Sequence, residues 1–405
     1  MDAPARLTIH VMCMAASLSI VPAHAASPVF NDITFGAQIE GGLMANPARP
    51  ADALDFGQFS PDHANQPQLD QLTLTLTKPV DDIGGGYGLG ANLRVLYGAD
   101  ARYYAIAGIS DKLLSGRYQI MPVFANVAAH LPWLTKGGLD GQFGVLTSPM
   151  GVETLDPTTR AFYTLAYTTE YSTPFEHVGA IFQWHLDPLL DVQFGIDTGN
   201  QTSFGRGDNN AEPAGYVGLS GHGLAHGALA FTYLLRIGPE NSVRALGMRA
   251  NAAQRVWNDL NATWQMTQSL NGTIEFNTVH DDGLHASTYS VVTWLAWQMS
   301  PDLTLNYRGE LYRDNSGGFV TQFQSDTAYA RVLLGAPAPV SNAPATTYGA
   351  LSLNASWRPK LGHGVRLFQL RPEIRFDRSL NGTAPFNGFR NCGMFTFGGD
   401  ATLGF

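Results

Sequence analysis

Two stretches concentrate the side chains able to do chemistry. GVETLDPTTRAFYTLAYTTEYST, from Gly151 to Thr173, puts Glu153, Asp156, Arg160, Tyr163, Tyr167, Glu170 and Tyr171 within about one long loop. Acids, one arginine and several phenols at irregular spacing suit sorting of solutes by size and charge better than bond making. The competing reading is a cap packed on its neighbours, with Asp156-Pro157-Thr158 as an ordinary turn. The second stretch, RPEIRFD, alternates Arg371, Glu373, Arg375 and Asp377 with apolar residues. Residues two apart on a strand share a face, so these four form a ladder on one wall. Arg94, Asp140, Gln142, Asp191, Glu275, Arg308 and Glu310 fall at equivalent positions in other alternating segments. In a water-filled lumen such charges stay solvated, and the slight excess of acids over arginines tilts the wall toward cations. Alternatively, they pair across strands and stiffen the wall.

Catalytic and metal patterns are weaker. GHGLAHG places His222 and His226 four apart, which aligns two ligands only on a helix, and three glycines in seven residues oppose one. On a strand the two would lie about 13 Å apart, so the segment reads as a turn. No G-x-S-x-G elbow is present, and His280, Asp281 and His285 read as solvated loop residues rather than a triad. No catalytic, cofactor or metal residue is assigned.

The elements that position these groups are strands. Val256, Leu260, Ala262, Trp264 and Met266 oppose Trp257, Asp259, Asn261, Thr263 and Gln265; Ile274 and Phe276 oppose Thr273, Glu275 and Asn277. The same period of two recurs from Tyr289 to Met299, Leu303 to Tyr312, Leu351 to Trp357, Leu370 to Asp377 and Phe395 to Phe405. Nine further strands are read near 31–44, 69–78, 85–98, 117–131, 139–150, 176–187, 189–199, 214–224 and 226–237. The expected total is sixteen, with fourteen to eighteen compatible. Connections alternate long (45–68, 99–116, 151–175, 200–213, 238–253, 315–346) and short (79–84, 132–138, 187–188, 267–269, 300–302). Two, 281–287 and 359–367, are intermediate. Such a rhythm is that of an up-and-down transmembrane barrel.

Composition agrees. Charged residues are 14%, against roughly 25% in soluble domains, while mean hydropathy is only -0.06. A helical membrane protein needs about 20 consecutive apolar residues per span, and no such run is seen. Alternating lipid-facing and lumen-facing residues reconcile few charges with neutral hydropathy. Trp133, Trp184, Trp297 and Trp357 end apolar stripes near turns, as an interfacial girdle requires. A soluble sandwich or propeller would carry far more lysine on its outer face. A net charge of -9 argues against nucleic acid. Residues 1–25 read as a signal peptide: Arg6, an apolar run from Leu7, and Ala23-His24-Ala25 as the cleavage site. The mature chain would begin at Ala26, lose Cys13, and keep Cys392 as its sole cysteine. Domain organisation is then a single barrel over 26–405.

From Phe143 to Asn200 the chain resembles the OmpL-like porin-2 family of β-barrel porins. Gly151-Val152-Glu153, Asp156-Pro157-Thr158 and Pro174-Phe175-Glu176-His177-Val178-Gly179 carry the resemblance. It implies a pore in the outer membrane of a Gram-negative bacterium, with Phe405 as the aromatic signal presented to the barrel assembly machinery.

The expectation is therefore an all-β, antiparallel barrel of about sixteen strands passing small hydrophilic solutes by passive diffusion. Pore-lining or constriction residues would be Arg94, Glu153, Asp156, Arg160, Tyr163, Glu275, Arg308, Glu310, Arg371, Glu373, Arg375 and Asp377. Its other partners would be outer-membrane lipids and, by analogy with barrels of this width, further copies of itself. The alternatives are a plugged barrel acting as surface adhesin or receptor through loops 45–68 and 315–346, and an outer-membrane lipid hydrolase.

Overall fold

The computed structural model describes residues 32–80, 86–362 and 364–405. The expected signal peptide, Cys13 and positions 81–84 of the expected short connection 79–84 lie outside the described residues. Among the described residues eighteen strands follow in chain order: β1 (Thr34–Ala45), β2 (Gln68–Lys78), β3 (Gly88–Gly98), β4 (Gln119–Leu131), β5 (Leu139–Thr147), β6 (Glu176–His185), β7 (Leu190–Asp197), β8 (Ala214–Gly223) and β9 (Leu229–Pro239). The second half supplies β10 (Gln254–Gln265), β11 (Leu270–Asp281), β12 (Ala286–Ser300), β13 (Leu303–Asp314), β14 (Thr321–Phe323), β15 (Val340–Asn342), β16 (Thr346–Trp357), β17 (Leu367–Ser379) and β18 (Gly393–Gly404). Sixteen of them close one antiparallel barrel; β14 and β15 pair only with each other, as a ribbon inside the connection between β13 and β16.

Alternation decides which way each side chain points. On β2, Leu72, Leu74 and Leu76 are exposed while Thr73 is buried; on β17, Leu370, Ile374 and Phe376 are exposed while Arg371, Glu373, Arg375 and Asp377 are buried. The exposed apolar face is outward, where lipid replaces water, and the polar face is inward. No helix among the described residues is long and apolar enough to cross a membrane; each barrel strand is hydrogen-bonded to a neighbouring strand on both sides. The seam joins the ends of the chain: β1 pairs with β18 from Gln38 opposite Gly404 to Ala45 opposite Phe397. One step further, Phe405 N donates to Ala37 O at 2.8 Å. Trp133, Trp297 and Trp357 stand exposed near the turns, whereas Trp184 is partly covered.

Long and short connections occupy opposite ends, with one departure. The β11–β12 connection, expected to be intermediate, is a tight turn at the long-loop end. GHGLAHG is divided: His222 is the next-to-last residue of β8, and His226 sits in the following turn with positive φ.

The long loops fold over one another. Phe59 stacks on Tyr103 with ring centroids 4.5 Å apart and meets Tyr171, Phe175, Phe323 and Tyr329 edge-on. That hub ties together connections 46–67, 99–118, 148–175 and 315–345.

Candidate functional site

Connection 148–175 turns into the lumen instead of capping it. Its sequence alternates groups that need a partner with groups that supply one, and the inward faces of distant strands provide the rest. Starting at β5, it is held on β13 at Glu153: Arg308 Nη1 donates to Glu153 Oε1 at 2.7 Å and to Thr164 O at 2.7 Å. Trp294 Nε1 donates to the same Glu153 oxygen at 3.2 Å. Burial by itself would raise the Glu153 carboxyl, but the Arg308 guanidinium and the donated hydrogen bonds hold it below its usual range. The loop then crosses to β3, where Asp156 pairs with Arg94. Against the burial that would raise it, Arg94 and the Thr158 N–H hold Asp156 low as well.

On the β17 wall the ladder receives the loop rung by rung. Arg371 donates to three loop carbonyls, those of Pro157, Arg160 and Phe162, at 3.2, 2.9 and 3.1 Å. Glu373 Oε2 accepts from Tyr163 N at 2.7 Å. Arg375 donates to Leu165 O at 3.0 Å, and Tyr167 Oη donates to Asp377 Oδ1 at 3.0 Å. Tyr167 opens a short helix, α1 (Tyr167–Ser172), and its N–H donates to Glu310 Oε2 at 2.9 Å. Within α1, Glu170 accepts from Phe59 N, and burial pushes its carboxyl well above the ordinary value.

The expected ladder therefore exists, but it is not a solvated wall. Arg308, Arg371 and Asp377 have no exposure and Arg375 has 1%, because loop 148–175 lies over them. Arg160 and Tyr163 are equally buried, held by Glu40 at 2.9 Å and Asp70 at 3.0 Å. Glu275 is buried beside Asp259 and the backbone of Val152. Of the twelve candidates only Arg94 and Asp156 keep appreciable side-chain access to solvent, 19% and 18%.

Glu40, Asp70 and Asp400 were missed. Arg371 donates to Glu40 Oε1 at 3.0 Å and to Asp400 Oδ2 at 2.6 Å, so they neutralise the cations that hold the loop. Their signal was available for two: Glu40 follows Ile39, and Asp400 has the opposite parity to Phe395 and Phe397. Asp70 is the residue left unpaired by the β1–β2 register shift, Glu40 facing Gln71 and Gly41 facing Leu69, and there simple parity fails. Away from the loop, the lumen wall from β3 to β11 carries half-exposed, uncharged polar groups: Asn92, Asn126, Gln142, Gln183, Gln193 and Thr273.

Against known proteins, a family model described as "Putative beta-barrel porin-2, OmpL-like" matches residues 32–405. No curated protein sequence matches the chain. Among solved structures, the outer membrane channel DcaP of Acinetobacter baumannii superposes with TM-score 0.55 at 12% identity, covering 92% of this chain and 97% of that one. An anion-selective porin from Comamonas acidovorans gives 0.55 at 11%, covering 92% and 99%. The trimer form of OmpT from Vibrio cholerae gives 0.53 at 9%, again 92% and 99%. At such identities the likeness is one of fold.

Proposed function

Because the chain belongs to the OmpL-like porin-2 family, we propose that its channel is a narrow diffusion path for small hydrophilic solutes, running between loop 148–175 and the polar wall of β3 to β11. The chain is an outer-membrane β-barrel and a porin channel. One observation carries the finer reading: the loop crosses the lumen and is held on the far wall by Arg308, Arg371, Glu373 and Arg375, which leaves the Asn, Gln and Thr side chains of the near wall facing water. Arg94 and Asp156 then stand at the edge of the path and act on permeating charge. The remaining candidates fix the loop rather than touch the solute. Preorganised pairs inside a barrel keep the gap constant, which is how a passive pore discriminates by size.

Export with cleavage after Ala25, insertion among outer-membrane lipids and assembly as a homo-oligomer complete this reading; an intact mass beginning at Ala26 tests the first. The aromatic hub around Phe59 favours a second reading, a barrel plugged by its loops and serving as a surface receptor. Purified protein in a planar bilayer separates the two: discrete ohmic steps support the path, and silence supports the plug.

A further inference from the structure

Five side chains on five adjacent strands form an unbroken row of alternating imidazoles and carboxylates on the lumen wall at the short-turn end. His130 comes from β4, Asp140 from β5, His185 from β6, Asp191 from β7 and His222 from β8. His130 Nδ1 lies 2.7 Å from Asp140 Oδ1, and His185 Nε2 lies 3.1 Å from Asp140 Oδ2. His185 Nδ1 lies 2.8 Å from Asp191 Oδ1, and His222 Nδ1 lies 3.6 Å from Asp191 Oδ2. Gln183 Nε2 donates to Asp191 Oδ2 at 2.7 Å. The groups follow one another along the wall; among the described residues no three such side chains converge as metal ligands would. Side-chain exposures of 24% for His130, 26% for His185 and 46% for His222 leave the row open to lumen water.

We propose that this row determines charge specificity at the short-turn mouth: protonation of His130 and His222 converts a mouth that favours cations into one that favours anions. The proposal rests on the channel reading above. Both ring nitrogens of His185 face carboxylates, so both must carry protons and His185 is cationic. With His130 and His222 neutral, two carboxylates then leave the row one net negative charge; with both protonated it carries one net positive charge. Histidine is the side chain whose ordinary titration falls between about pH 5 and 8. The titratable neighbours are few. The turn packed on His185, whose Gly138 O accepts from His185 N at 3.1 Å, contributes Lys136; the turn packed on His222 through Leu189 O contributes Asp187; and the turn after β8 contributes His226. On the flanks, β3 sets Gly88 opposite His130, and β9 offers Thr232 and Ala230.

The test uses the purified full-length chain in a planar bilayer under a potassium chloride gradient. Cys392, a free and exposed thiol in the β17–β18 connection, marks the long-loop side when a bulky maleimide reaches it. Acidifying the short-turn side from pH 8 to 5 lowers the potassium-to-chloride permeability ratio by about 3- to 10-fold, as two charges a few ångströms from an aqueous path should. The double variant His130→Gln/His222→Gln removes that response while leaving ohmic steps. A ratio that does not move with pH, a response only to acid on the long-loop side, or a double variant that still responds overturns the proposal. If the variant fails to insert, a permeability ratio of the unmodified chain that ignores acid on the short-turn side still overturns the proposal. Absence of any steps would instead strike at the channel reading itself.

Discussion

Arg308 on β13 and Glu153 in the lumen loop, 155 positions apart in the chain, share a hydrogen bond of 2.7 Å with neither exposed beyond 5%. Such a pair is costly to bury but costlier to break, since the surviving charge has nowhere to go. It therefore fixes the loop's position more than it stabilises the fold.

Replacing Arg308 with alanine should release the first half of loop 148–175 at a cost of about 3–5 kcal/mol. Single-channel recording should show larger and noisier steps than the unmodified protein gives. Steps of unchanged size would mean that the loop does not limit the path.

Arg94 and Arg371 should behave differently although both face inward. Arg94 keeps 19% side-chain exposure, whereas Arg371 has none. Arg94→Glu should shift the reversal potential in a salt gradient toward cation preference. Arg371→Ala, which removes donors from three loop carbonyls, should instead lower the temperature at which the barrel unfolds in detergent. A shift in selectivity from Arg371→Ala with unchanged stability would reverse these assignments.

The loop carrying Asp55 should respond to pH. Asn46 Nδ2 donates to Asp55 Oδ1 at 2.6 Å, and burial pushes the carboxyl from 3.8 up to about 7. A carboxyl raised in the folded state favours the folded loop fully below its ordinary value, and that contribution is lost as pH rises through the shifted one. Protection factors in 46–67, which divide out the base-catalysed intrinsic exchange rate, should accordingly be higher at pH 5 than at pH 8. Asp55→Asn should remove the difference in protection, and equal protection factors in the unmodified chain at both pH values would contradict the assignment.

Gly42 on β1 lies where the wall leaves no room for a side chain beneath the loop. A methyl group there would stand 2.5 Å from the Tyr163 ring and 2.8 Å from Gly399 O. Gly42→Val should displace Tyr163 from Asp70 and widen the path, read as increased conductance with barrel content by circular dichroism unchanged. Normal conductance would show that the loop accommodates the change.

Most of the barrel was legible because lipid outside and water or protein inside impose opposite polarity on successive residues. Sixteen strands follow from that rule alone, down to Phe395 and Phe397 facing out beside Asp400 facing in. The β14–β15 ribbon was not legible, since three-residue strands inside a loop carry no period. Which side chains point into the barrel was legible, and how they are arranged there was not. Alternation places Arg371, Glu373, Arg375 and Asp377 on the lumen side, yet nothing local says whether water or another segment covers them. That depends on partners some 200 positions away, such as the Tyr163 N–H on Glu373. The His130 to His222 row was hidden similarly: its members lie singly on five strands and become neighbours only through register.

The central claim is that loop 148–175 leaves a conducting path and sets its width. Single-channel conductance of the purified full chain, measured before and after Arg308→Ala, tests it most directly. Discrete ohmic steps that grow in the variant are the predicted result; silence from correctly folded barrels at high protein load, or steps identical in the two proteins, would contradict it.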